Sequence, residues 1–308
     1  MARTVALAAL ILALTGAAAP VLRDGDRQLE RGDATLHYRI LGAGHGPVLV
    51  MLSGGPGFSI AYLQAAAAHL SGANTVVELD QRGTGASTVR AYDAATISIA
   101  KNIDDLDALR TELGLDRLRI FGHSWGAMLA MAYAVAHPDR VERLVLSDSG
   151  GPDTGFAQAA GARLALRTTD ADRAATAKWR DQMSGPDAAI AARNFWIANT
   201  GPYLDNRTVV AELVPMEPHI FDSQVGQLMQ ADMVKHYDLS ATLHTVTAPT
   251  LIILGRDDIV GVDTSERIHG LMPNSQMVIV EDAGHFPFVE RPAPYYAALD
   301  PFLAKDPR

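Results

Sequence analysis

The chain has 308 residues, 48% of them hydrophobic and 20% charged, which provides for a sizeable buried core and excludes a disordered chain, a fibre and a multi-span membrane protein. Lys and Arg number 26 against 35 Asp and Glu, a net charge of −9, and no basic run is present, so nucleic acid is excluded as a partner on electrostatic grounds. Cysteine is absent, which removes disulfides, thiolate metal sites and a cysteine nucleophile together.

The N-terminus reads Met-Ala-Arg, then an apolar stretch from Val5 to Leu14, then small residues up to Pro20. These are the three parts of a secretory signal, and the apolar stretch is shorter than the ~20 residues of a spanning helix. Residues 1–19 are therefore expected to be a leader removed on export to the periplasm or the medium, with no stable membrane association afterwards. Beyond a polar stretch, Ala34–Ile40 reads as a strand, and Pro47–Leu52, Thr75–Leu79, Leu118–Phe121, Leu144–Leu146, Thr250–Leu254 and Met277–Val280 are short apolar runs suited to buried parallel strands. Helical patterns lie between them at Ile97–Leu113, Ala127–Ala136 and Ser265–Leu271. This alternation predicts an α/β fold with a mostly parallel sheet and helices on both faces. It stops from Pro152 to Leu239, where helical, Ala-rich and polar stretches are broken by Gly-Pro pairs; we read a helical cap over 152–239 inserted into a core formed by 20–151 and 240–308. The cap's Trp179, Trp196, Met216, Met229 and Met233 suit either a lid over a pocket or packing of cap on core.

The strongest chemical signal is Gly122-His-Ser-Trp-Gly126, a G-x-S-x-G turn between an apolar strand and a helix. Such a turn lifts the Ser124 hydroxyl clear of the sheet. A serine needs a base oriented by an acid, and both follow in the required order: Asp258 after the Thr250 strand, with Asp257 as its rival, and His285 after the Met277 strand. Ser124 is the candidate nucleophile, His285 the general base and then acid, and Asp258 the residue holding the imidazole tautomer. Donors for an oxyanion are expected from the backbone N–H of Trp125 and of Gly55, with Gly54 the alternative, in Ser53-Gly-Gly-Pro-Gly57. Asp80-Gln-Arg-Gly-Thr-Gly-Ala-Ser87 lacks the third glycine of a dinucleotide fingerprint; it reads as an ordered loop in which Asp80 and Arg82 pair to brace the active-site edge. No metal-ligand cluster stands out, and neither metal nor cofactor is expected.

Together these residues resemble an α/β-hydrolase and, more narrowly, the proline iminopeptidase family of serine aminopeptidases. Ser53-Gly-Gly-Pro-Gly57 is similar to that family's His-Gly-Gly-Pro-Gly, Asp80 to Ser87 matches its Asp-Gln-Arg-Gly-x-Gly-x-Ser, and Gly122 to Gly126 matches its elbow with Trp after the serine. The resemblance covers about Leu36 to Ser149 and Pro249 to Arg291. It implies release of an N-terminal residue, often proline, from short peptides without a cofactor, and acidic cap residues that hold the substrate's α-ammonium. Glu212, Glu217 and Asp222 are available for this, with Glu217 and Asp222 the candidate substrate-binding pair, although none falls in an alignable motif. The expected function is a serine hydrolase of aminopeptidase type. A carboxylic-ester hydrolase or lactonase on small acyl substrates would use the same machinery, and a non-catalytic ligand-binding protein could share the fold.

Overall fold

The structure, a computed structural model, describes residues 20–185, 187–215 and 220–305. Residues 1–19, where a leader is expected, Met216 and the candidate Glu217 lie outside the described residues. The chain builds β1 (Gly25–Glu30), β2 (Ala34–Leu41), β3 (Val48–Leu52), α1 (Gln64–Leu70), β4 (Thr75–Leu79), β5 (Thr88–Val89), α2 (Ile99–Glu112), β6 (Leu118–His123), α3 (Trp125–Ala136) and β7 (Val141–Ser147). Helices α4 (Ala157–Arg167), α5 (Asp170–Gln182), α6 (Ala188–Thr200), α7 (Val210–Leu213) and α8 (Ser223–His236) follow, and no strand interrupts them among the described residues. The chain then closes with β8 (Thr250–Gly255), α9 (Val262–Leu271), β9 (Ser275–Val280), α10 (Pro287–Glu290) and α11 (Pro292–Ala304).

The strands form one sheet in the order β1-β2-β4-β3-β6-β7-β8-β9, with β5 beside β2. From β4 through β3 to β9 every neighbour is parallel, while β1 and β2 are antiparallel. The period-2 alternation of a strand sorts the apolar runs onto two faces. Leu49, Met51, Phe121, Leu251 and Ile253 pack with α1 and α11. Their neighbours Val50, Leu52, Ile120 and Ile252 pack with α2, α3 and α9 on the other side. Each such fully buried aliphatic side chain contributes roughly 1.5–3 kcal/mol, which is how the parallel strands hold without disulfides. Strand β1, Gly-Asp-Arg-Gln-Leu-Glu, was not foreseen because it is an edge strand with alternate residues exposed; its pairing, not its apolar content, makes it a strand.

In the insertion, Trp196 serves both expected purposes: it lines the cavity described below and packs against Phe58 and Phe221 at 5.1 and 5.0 Å between ring centres. Met229 is buried in the core cluster and Met233 also reaches the cavity, whereas Trp179 lies under Lys178. The carboxyl ends of β3, β6, β8 and β9 come to one edge of the sheet, so the loops carrying Gly55, Ser124, Asp258 and His285 meet there.

Candidate active site

Ser124 joins β6 to α3 with φ 55° and ψ −119°, a left-handed backbone that a non-glycine residue rarely holds unless its surroundings enforce it. Here the Ser124 N–H donates to the Ser147 carbonyl at 2.9 Å, and the Ser124 carbonyl accepts from Ala127 and Met128 to open α3. The flanking glycines are required by space: a Cβ on Gly122 would stand 2.4 Å from the Gly126 carbonyl oxygen, and one on Gly126 would stand 2.3 Å from that of Leu52. The Ser124 hydroxyl makes no capping bond to α3 and opens on a cavity of about 850 Å³ between core and insertion.

His285 lines the same cavity. Its Nδ1 lies 2.8 Å from Asp258 Oδ1, which also accepts the Val260 N–H at 3.0 Å. Both residues are 5% exposed. With Asp258 ionised the proton of this bond sits on Nδ1, which leaves the Nε2 lone pair free to take a proton. Asp257, the alternative acid, is exposed, and its carbonyl accepts from Arg167 outside the site. The His285 loop is tied to the insertion twice. His285 N–H donates to the Tyr203 carbonyl at 2.9 Å, and the buried Glu290 carboxylate accepts from the N–H groups of Gly284, Phe286, Asp205 and Asn206. Burial raises the Glu290 pKa against the pull of those four bonds.

A chain of hydrogen bonds then decides between the two glycine donors. His123 Nε2 lies 2.8 Å from the His285 carbonyl, which can only accept, so Nε2 carries the proton. Full burial, then the neighbouring His285, push the His123 pKa well down, and its neutral Nδ1 accepts from the Tyr62 hydroxyl at 2.7 Å. Tyr62 Oη in turn accepts the Gly54 N–H at 2.6 Å. Gly54 is thereby committed to Tyr62, whereas the N–H groups of Gly55 and Trp125 have no partner among the described residues. The two histidines and Tyr62 thus wire three loops together. Tyr62→Phe should leave the Gly54 donor and His123 Nδ1 buried and unpaired. We expect kcat to fall by about 10- to 100-fold with KM within about twofold, since oxyanion donors act mainly in the transition state; steady-state kinetics on one chromogenic ester checks this, and an unchanged kcat would remove the relay from the reaction.

The loop from Asp80 to Ser87 braces the site, but not as expected. Asp80 and Arg82 do not pair with each other. Asp80 accepts from the Ile60 and Ala86 N–H groups and meets His37 at 3.0 Å, while the buried Arg82 reaches the other way to a two-point pair with Asp105 of α2, both contacts 2.8 Å. Residues on either side of the turn point apart, so each finds its own partner. The residue between them, Gln81, was missed by sequence reasoning: its amide accepts from the Trp125 indole and donates to the Ser53 carbonyl, both at 2.8 Å, and so joins the nucleophile turn to the oxyanion loop.

Asp148, at the end of β7, was also not anticipated. It has φ 48° and is fully buried, accepts from the Gly255 N–H and the Ser147 hydroxyl, and presents an oxygen within 4.8 Å of Asp258 and His285. Among the described residues these three side chains lie close enough together to share a cation. Burial, then the charge of Asp258, raise the Asp148 pKa well above the usual carboxylate range, which favours its neutral form. A raised folded pKa means stability is lost as pH climbs above the unfolded value, by about 1.4 kcal/mol per pH unit until the folded pKa is reached. Asp148→Asn removes that slope. The variant is expected to gain on the parent in melting temperature as pH rises above the unfolded carboxylate pKa of about 4, and a constant difference across thermal melts from there upward would show that the Asp148 pKa is not raised.

Of the expected substrate carboxylates, Glu217 lies outside the described residues and Asp222 is not brought to Ser124. Asp222 Oδ1 caps α8, accepting from Gln224 and Val225 at 2.8 and 2.9 Å, and neither Asp222 nor the exposed Glu212 lines the cavity. The carboxylate on the described lining is Asp172, which closes a capping box with Thr169 and is held by Arg207 at 2.9 Å. The Thr169-x-x-Asp172 pattern would have revealed its helix-starting role.

Known proteins agree with this architecture. The chain is 26% identical over 275 residues, 84% of its length and 91% of the relative's, to a proline iminopeptidase of Heyndrickxia coagulans. It superposes on the crystal structure of a proline iminopeptidase from Mycobacterium smegmatis with a TM-score of 0.68 at 24% identity, covering 91% of this chain and 97% of that one. The enol-lactonase from Burkholderia xenovorans LB400 superposes with a TM-score of 0.65 at 20% identity, over 91% of this chain and all of that one (100%). The profile of the alpha/beta hydrolase family matches residues 49–298, and with the sheet order and strand-turn-helix at Ser124 this establishes that the chain belongs to the alpha/beta hydrolase family.

Proposed function

We propose that the chain is a serine hydrolase that cleaves small carboxylic esters, lactones or amides through an acyl-enzyme on Ser124. The observation that carries this reading is a serine on a positive-φ turn sharing one cavity with an imidazole that a buried carboxylate holds at 2.8 Å. Ser124 Oγ attacks the carbonyl carbon as its proton passes to His285 Nε2, and the N–H groups of Gly55 and Trp125 receive the developing oxyanion. The bond to the leaving alcohol or amine then breaks, and that group takes the proton from Nε2. Water attacks the acyl carbon, giving a proton to Nε2, and the proton returns to Ser124 as the acid departs. Ester and water become acid and alcohol, with no other reactant.

A second reading, release of an N-terminal residue from a peptide, is favoured by the three motifs shared with proline iminopeptidases and by the 26%-identical relative. It needs a carboxylate for the α-ammonium, and the one on the described lining is already paired with Arg207. Purified protein given proline 4-nitroanilide, its N-acetyl counterpart and 4-nitrophenyl butyrate separates the readings. We expect the ester to exceed both anilides in kcat/KM by roughly tenfold or more. Strong preference for the free-amine anilide would support the aminopeptidase instead, and failure of all three, together with no phosphonate labelling of Ser124, would point to a binding protein.

A further inference from the structure

We infer that the cavity takes acyl substrates bearing a second, anionic group, and that α5 of the insertion recognises that group through Arg173 and Arg180. This rests on the acyl-hydrolase reading and adds the substrate's charge to it. Arg173, Thr176, Ala177 and Arg180 all line the cavity, a spacing of i, i+3, i+4 and i+7 that places them on one face of the helix. The backbone positions of the two arginines stand about 10 Å apart along the axis, at a rise of ~1.5 Å per residue.

Neither cation is held in a buried ion pair among the described residues. Arg173 meets Asp170 at 2.9 Å, but the two side chains are 58% and 99% exposed, and an ion pair so wetted holds little. Arg180 leans on the Phe195 ring at 5.6 Å and makes no ion pair among the described residues. The other charged group on the lining, Asp172, is already answered by Arg207. The described lining thus carries two arginines, Arg173 and Arg180, against the one carboxylate of Asp172, a local excess of positive charge on a chain whose net charge is −9, and this favours an anionic group over an ammonium. The same lining carries aromatic groups, Phe58, Trp196 and Phe221 among them, suited to a short apolar spacer between the scissile carbonyl and the distal anion.

The probe is a matched pair of esters of similar length, 4-nitrophenyl butyrate and mono-4-nitrophenyl succinate, used with the full chain. Protection of Ser124 from a neutral fluorophosphonate by glutarate or by its neutral diamide is measured alongside. We expect kcat/KM to favour the succinate by about fivefold or more at low salt, the preference to shrink at high ionic strength, and glutarate alone to protect. Arg173→Gln with Arg180→Gln should abolish the preference, chiefly through KM, while butyrate turnover persists and so reports an intact fold. If Ser124 is labelled and butyrate is cleaved as well as succinate at every salt concentration, or if the preference survives the double substitution, the inference falls and the hydrolase reading stands. Absence of both labelling and turnover overturns the hydrolase reading and the inference with it.

Discussion

Ser124→Ala is expected to lower kcat by roughly 10⁵- to 10⁶-fold, the loss that follows when a nucleophile acting in concert with its base is removed. The reason lies in what the hydroxyl does not do. It makes no capping bond to α3, and the left-handed turn is held by backbone bonds to Ser147, Ala127 and Met128 that alanine keeps. Folding should survive, with thermal unfolding close to that of the parent, so lost turnover reports chemistry alone. Intact-mass analysis after treatment with a fluorophosphonate should show one adduct on the parent and none on the variant. Turnover that persists above about 10⁻³ of the parent would move the nucleophile elsewhere.

Asp258→Asn should cost about 10³- to 10⁴-fold in kcat. Asparagine can still accept the Val260 N–H and the His285 Nδ1–H through Oδ1, so the ring stays in place. What disappears is the negative charge that stabilises the imidazolium formed when Ser124 gives up its proton. The buried Oδ2 makes no hydrogen bond, and an amide nitrogen there would lie near Asp148, which presents an oxygen within 4.8 Å of Asp258. Asp257→Asn, one residue earlier but exposed, should change kcat less than twofold. Full activity in Asp258→Asn, with loss in Asp148→Asn, would assign the acid to Asp148. Comparison of the three variants at one saturating substrate concentration decides it.

The elements with strong local signals are legible in the sequence itself. Apolar runs such as Leu118–Phe121 and Thr250–Leu254 became central strands, because strands buried on both faces need side chains that are apolar at every position. The G-x-S-x-G turn announced itself through glycines that sterics demand. Edge strand β1 and the short β5 carry no such signal, since half their residues face water. Asp80 and Arg82, two residues apart, were expected to pair, yet each found a partner distant in sequence or in the backbone; adjacency along a turn does not fix side-chain direction.

From the amino-acid order alone came the alternating α/β pattern, the helical insertion, and a serine, an aspartate and a histidine after the ends of three apolar strands, because periodicity and turn chemistry are local properties. Only the tertiary structure decided that Asp258 rather than Asp257 meets His285, that Tyr62 holds Gly54 and leaves Gly55 free, that Asp222 caps a helix, and that two arginines face the cavity. Each of these depends on which hydrogen-bond or charge partner arrives from a remote part of the chain, and burial makes that choice costly to leave unmet.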